Sequence, residues 1–300
     1  MYKRQSGGSL EDDFILLYGT DSRDLGLSAV SFKPDPDNPG HFVLMMTPKQ
    51  LWPDEDRQPQ DVVFVIDTSG SMAGDKLAQA QSALRYCVEQ LDEDDRMSVV
   101  RFSTGFDALF DEPVSATKDN RAKATAFIEK FRAAGGTNIG DTLDFVAKMP
   151  RDDDRPFVVV FLTDGQGNRT PDAILSMLEE SGAAGVRVFP FGVGHDVNTL
   201  LLDRLSETYS GRTTFVQPGE NLELVLGDFF SVISRPVLTG LRLTLPGIDP
   251  MERFPATLGD LYHGQQLIVA GQFDTEAKGP VKLTAKRGGS PPGSAKSSGY

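Results

Sequence analysis

The run Asp67-Thr68-Ser69-Gly70-Ser71 follows the unbroken apolar stretch Val62 to Ile66, so a carboxylate and two serine hydroxyls stand where a buried strand surfaces. Such oxygens suit a hard cation. Two more oxygen donors stand at comparable breaks in the pattern: Thr137 after the glycine pair Gly135-Gly136, and Asp164 at the end of the apolar run Phe157 to Leu162. Asp67, Ser69, Ser71, Thr137 and Asp164 are therefore the candidate metal ligands, carried on three loops. Two carboxylates and three hydroxyls form an oxygen-only shell of limited charge, which suits Mg2+ with water filling the gaps, Mn2+ nearly as well, and admits Ca2+. Gly70 and Gly135-Gly136 let two loops approach one ion closely.

The elements that must position these donors can be read from apolar periodicity. From Asp61 to Pro236 short buried runs alternate with amphipathic stretches, the pattern of parallel strands joined by helical crossovers. Strands are expected at 61–67, 97–103, 107–110, 156–163, 186–192 and 213–216. Helices are expected at 75–91, 119–132, 139–148, 171–181, 198–207 and 220–234. In the first of these, Leu77, Ala80, Leu84, Cys87, Val88 and Leu91 fall on one stripe of helical period. Thr170-Pro171 marks another helix start, since a threonine cap and a proline at the first position both deal with orphan amide donors. In an open parallel sheet ligands bind beyond the carboxyl ends of the strands, and Asp67 and Asp164 both stand at such ends.

The flanks differ in character. Residues 13–20, 26–33 and 41–47 before the α/β unit, and 238–245, 265–273 and 279–285 after it, read as strands separated by turn residues. Three strands on either side are too few for an independent core. The two flanks are therefore expected to join into one small β-sandwich with the doubly wound domain inserted between them. The division is then a start without periodicity at 1–12, flanking strands within 13–50, the α/β domain at 58–235, flanking strands within 236–285, and a flexible Gly/Ser/Pro/Lys-rich tail at 286–300.

Composition excludes several classes. The formal net charge of −13 opposes binding to nucleic acid or anionic lipid. No apolar run nears the roughly 18 residues of a membrane span, and the start lacks the apolar block of a secretory leader. Cys87 is the sole cysteine, on the core side of its helix, so neither an internal disulfide nor a cysteine zinc site can form. His41, His195 and His263 lack zinc-motif spacing, and His195 reads as a loop residue. Asp92-Glu93-Asp94-Asp95 and Asp152-Asp153-Asp154 lack the glycine and distal glutamate of a calcium loop and read as solvated loops.

Asp67-x-Ser69-x-Ser71, Thr137 in Gly-Gly-Thr-Asn and Asp164 in Phe-Leu-Thr-Asp-Gly together resemble the complete metal-ion-dependent adhesion site of von Willebrand factor A-type domains, over about residues 58–235. The resemblance implies that the serines and Thr137 lie nearest the ion, that Asp67 and Asp164 bind directly or through water, and that a partner's acidic side chain supplies a further ligand. Around Asp24-Leu25-Gly26-Leu27, Phe42 to Pro48 and Pro236-Val237-Leu238-Thr239, the flanks are similar to inter-alpha-trypsin inhibitor heavy chains and bacterial relatives. That likeness implies an extracellular or cell-envelope setting. The chain has no Asp-Pro-His of the kind animal heavy chains use for attachment to glycosaminoglycan, so that activity is not carried over.

Three functions are compatible with these residues. The first is a non-enzymatic module for adhesion or assembly, in which bound Mg2+ captures an Asp or Glu of a protein partner. The second is a Mg2+-dependent phosphohydrolase with Asp67 as nucleophile, which needs a second acid where Ser69 stands. The third is an ion that serves folding alone. A serine hydrolase ranks below these, since no Gly-x-Ser-x-Gly frames Ser69 or Ser71.

Overall fold

A computed structural model describes residues 25–34, 37–48, 58–152, 154–165, 167, 169–234, 236–245, 248, 252–255, 257–262, 265–274, 281–287 and 290–296. The strand expected at 13–20 and the start at 1–12 lie outside these residues.

The central sheet is built from β3 (Asp61–Asp67), β4 (Arg96–Phe102), β5 (Phe106–Ala108), β6 (Val114–Ser115), β7 (Phe157–Thr163), β8 (Val186–Val193) and β9 (Thr214–Val216). Its order is β5-β4-β3-β7-β8-β9, with β6 also pairing with β4. All neighbours from β4 to β9 run parallel, and only the short β5 and β6 are antiparallel. Both faces of the sheet are covered, which explains the continuous rather than alternating apolar runs. Val62, Phe64 and Ile66 of β3 join one core, whereas Val63 and Val65 join the other.

Helices α1 (Asp75–Glu89), α2 (Lys118–Ile128) and α6 (Leu222–Ile233) cover the first face. Helices α3 (Ile139–Ala147), α4 (Pro171–Glu180) and α5 (Thr199–Thr208) cover the second. Cys87 is fully buried in the first core, where burial raises its thiol pKa well above the ordinary range. Strand order reverses between β3 and β7, and that topological switch point is where ligand crevices form in such sheets.

The flanks join. Strands β1 (Leu25–Phe32) and β2 (Gly40–Pro48) precede the central unit. The strands that follow it are β10 (Pro236–Thr244), β11 (Arg253–Phe254), β12 (Leu261–Tyr262), β13 (Leu267–Phe273), β14 (Lys282–Arg287) and β15 (Ser290–Lys296). They make two four-stranded sheets, β1-β2-β13-β11 and β12-β10-β14-β15. The link between flanks is direct, since β2 pairs antiparallel with β13 from Gly40↔Phe273 to Met46↔Leu267. Phe42, Leu44 and Met46 of β2 share a core with Leu241 and Leu243 of β10, Val269 of β13 and Leu283 of β14. The salt bridge Arg187 Nε–Asp260 Oδ2, at 2.5 Å, ties β8 to the segment before β12.

Four strands go beyond the periodicity reading. Strands β6, β11 and β12, of two residues each, are too short to show a period. Strand β15 occupies part of the stretch expected as a flexible tail. Pro291 and Pro292 are tolerated there because β15 is an edge strand and its register shifts near them, between Ala285 and Arg287 of its neighbour. The acidic run 92–95 is likewise not wholly solvated. Asp95 is fully buried and accepts hydrogen bonds from the amides of Gln60, at 3.0 Å, and Asp92, at 3.1 Å.

Candidate functional site

Asp67 is the last residue of β3, and its side chain is fully buried. Its Oδ1 accepts from the Ser69 amide at 2.8 Å and its Oδ2 from the Thr163 hydroxyl at 2.6 Å. Burial pushes the Asp67 carboxyl above the ordinary aspartate range; donors from Thr163 and Ser69 oppose the rise, and the charge of Asp164 adds to it. Among the described residues no Lys, Arg or His pairs with Asp67.

The chain then turns through Ser69 into a 3-10 turn, Gly70–Met72. That turn brings the Ser69 and Ser71 hydroxyls to 3.0 Å of each other. Ser71 Oγ donates to Asp164 Oδ1 at 2.7 Å, which joins the β3 and β7 loops into one chain of oxygens. Ser69 and Asp164 are 2% and 3% exposed, so the site has a buried floor, whereas Ser71 is exposed and Thr137 half-buried at its rim.

The third loop is held by backbone bonds. The amide of Ala134 donates to Thr68 O at 2.9 Å and that of Gly70 to Gly135 O at 3.1 Å. Gly135 has φ +84°, a left-handed conformation that side chains disfavour, and a Cβ there would lie 2.7 Å from Thr104 Oγ1. A Cβ on Gly165 would lie 3.3 Å from Thr137 Oγ1 and 3.7 Å from Asp67 Oδ2, so both oxygens border one small space that glycine leaves open.

All five candidate residues thus come to one crevice at the switch point. The donor set is oxygen only, one of its carboxylates is buried without a protein cation among the described residues, and the rim opens to solvent. These properties fit a hard divalent ion. Among the described residues no cluster of three His, Cys, Asp or Glu offers an alternative metal site. His195 is an exposed loop residue after β8.

Two neighbours of the site escaped the periodicity reading. Thr163 ends β7 and faces Asp67 across the β3–β7 pairing. Lys76 lies in the first turn of α1, and its Nζ donates to Asp164 Oδ2 at 2.5 Å. The sequence carries no clear signal for Lys76: a first-turn lysine calls for an acidic neighbour, and Asp75 beside it in the same turn already answers that need.

Fold and crevice define a doubly wound α/β domain with an oxygen-lined site at its switch point, flanked by a β-sandwich. The family model of the von Willebrand factor type A domain matches residues 61–228, more than half of the chain, and the chain belongs to that family. Over 256 residues it is 29% identical to inter-alpha-trypsin inhibitor heavy chain H2 of Mus musculus, covering 82% of this chain and 26% of the relative. With heavy chain H4 of Homo sapiens it shares 29% identity over 264 residues, 84% of this chain and 28% of the relative. The chain therefore spans just over a quarter of the length of these relatives. A solved von Willebrand factor type A protein from Catenulispora acidiphila has a similar fold, with TM-score 0.71 at 19% identity, covering 91% of this chain and 72% of that one. The ArnB paralog VWA2 from Sulfolobus acidocaldarius follows with TM-score 0.57 at 16% identity, over 88% of this chain and 71% of that chain. The family and these relatives class the chain as a protein-interaction module. Among the described residues no helix is long and apolar enough to cross a membrane.

Proposed function

We propose that the chain is a metal-dependent adhesion or assembly module in which Asp67, Ser69, Ser71, Thr137 and Asp164 hold Mg2+, and the ion captures an Asp or Glu side chain of a protein partner. One observation carries the reading: the fully buried Asp67 carboxylate is met by hydroxyl and amide donors and by no cation among the described residues. A buried charge in that position is costly unless paired or bound to a metal. Electrostatics supplies the mechanism. The two carboxylates, only one of them paired with a lysine, repel an incoming acid, and a bound divalent ion would reverse the local sign. On a chain of net charge −13 the ion is then the main local attractor for an acid. Likeness to the heavy chains supports an extracellular or cell-envelope setting. Against phosphoryl transfer stands Ser69, a hydroxyl where that chemistry needs an acid.

The test has two parts. Calorimetric titration of Mg2+ into wild type and Asp67→Ala should give binding heat for the first only, with both proteins folded by circular dichroism. Capture of proteins from an extracellular fraction should then require Mg2+ and be lost in Asp67→Ala. Full capture in EDTA would overturn the reading.

A further inference from the structure

The two acids of the crevice are not equivalent. Asp67 meets only neutral donors among the described residues, whereas Asp164 is shared: Oδ1 accepts from Ser71 at 2.7 Å and Oδ2 from the Lys76 ammonium at 2.5 Å. Lys76 Nζ also lies 3.4 Å from Ser71 O, and a Cβ on Gly194 of the neighbouring loop would sit 3.4 Å from it. Its side chain is 39% exposed while that of Asp164 is fully buried, so the ammonium reaches the acid from the solvent side. A lysine stem has four rotatable carbons and can withdraw its head to water with little loss of packing. The placement runs against the helix dipole, which disfavours a first-turn cation, and Asp164, together with Asp75 of the same turn, offsets that charge.

Resting on the reading of this crevice as an ion site, we propose that Lys76 is its built-in counter-ion, a positioning residue that competes with the metal for Asp164 and so sets the site's affinity. Two consequences follow from charge alone. Before an ion binds, Lys76 halves the net negative charge of the carboxylate pair and steadies Asp164 against Ser71. Once an ion binds, the retained positive charge at the rim strengthens attraction for the partner's acid. Lys76 thus weakens metal binding and aids acid capture, which are opposite effects at one site.

The experiment compares wild type, Lys76→Met and Lys76→Arg by calorimetric titration with MgCl2 and by melting in EDTA. Lys76→Met should bind Mg2+ about three- to tenfold more tightly, the effect of one charge partly screened by water. It should also melt at a lower temperature in EDTA, having lost the Asp164 partner. Lys76→Arg, which keeps the charge, should stay within about twofold of wild type on the same screened-charge argument. If Lys76→Met does not yield folded protein, Lys76→Gln is held to the same threshold. Wild-type binding together with an unchanged or weaker constant in the neutral variant overturns the proposal alone. Absence of Mg2+ binding by wild type overturns the site reading and the proposal with it.

Discussion

Strand β3 begins and ends with an aspartate, and both side chains are fully buried, yet their surroundings are opposite. Asp61, at the start, is gripped by two guanidiniums. Arg96 Nε donates to Oδ1 at 2.7 Å and Arg96 Nη2 to Oδ2 at 2.5 Å, while Arg155 Nε adds a third bond at 3.0 Å. Hydrogen bonding to Asp61 in turn raises the Arg96 pKa above its ordinary value. Asp67, seven positions along the same strand counting both ends, has donors from Ser69 and Thr163 and no cation among the described residues. One end of the strand is closed with the protein's own charges. At the other no protein cation among the described residues meets the carboxylate, and on the proposed reading an ion supplies the positive charge. Burial alone therefore says nothing about function; the pairing of the buried charge does.

The sharpest way to break this comparison is to neutralise each aspartate in turn. Asp61→Asn should cost about 3 kcal/mol in urea denaturation, toward the low end for a broken buried pair because the arginines reach solvent. Asp67→Asn in EDTA should change stability by less than about 1 kcal/mol, since it removes a buried charge that has no ionic partner. Equal losses at the two positions would erase the distinction. Next in size is the response to metal. Mg2+ at a hundredfold excess over its dissociation constant should stabilise wild type and Asp61→Asn by about 2.7 kcal/mol and leave Asp67→Asn unmoved. Thermal melts read this directly.

Smaller again is Thr163→Val. It removes the donor to Asp67 Oδ2 and the acceptor of the Gly165 amide, and should cost about 1–2 kcal/mol. It should also weaken Mg2+ binding, which a purely structural threonine would not do. The finest test is pH. Because burial raises the Asp67 carboxyl in the folded state, its contribution to stability is present below the unfolded aspartate value and is lost as pH rises through the folded one. In EDTA, wild type should therefore lose stability relative to Asp67→Asn on going from strongly acidic to neutral buffer. A difference between the two that does not change with pH would count against the desolvated carboxylate.

Much of this architecture was legible from residue order. The six helices of the central unit lie within a few residues of their expected spans, because their apolar residues recur at helical spacing and five of them start at a side-chain cap, Thr117, Asn138, Thr170, Asn198 or Asn221. The buried runs of β3 and β7 were equally plain, since both faces are covered. Less was readable where the signal is short or nonlocal. Strand β6 holds only Val114 and Ser115, and β15 carries a proline pair that composition assigns to a tail. In the sequence Asp95 reads as one more solvated acid, because its partner, the amide of Gln60, stands 35 positions earlier.

By itself, residue order determined the alternation of strands and helices and the types of donor available, because periodic burial and capping are settled within a few neighbouring residues. Only the tertiary structure decided which donors meet. Ser71 reaches Asp164 across 93 positions and Thr163 reaches Asp67 across 96, through pairing of β3 with β7 at the point where strand order reverses. The same pairing, with α1 packed beside it, assigned Lys76 to one acid and left the other without a protein cation among the described residues. Charge balance in a buried crevice is a property of distances, and distances between remote segments exist only once the sheet has formed.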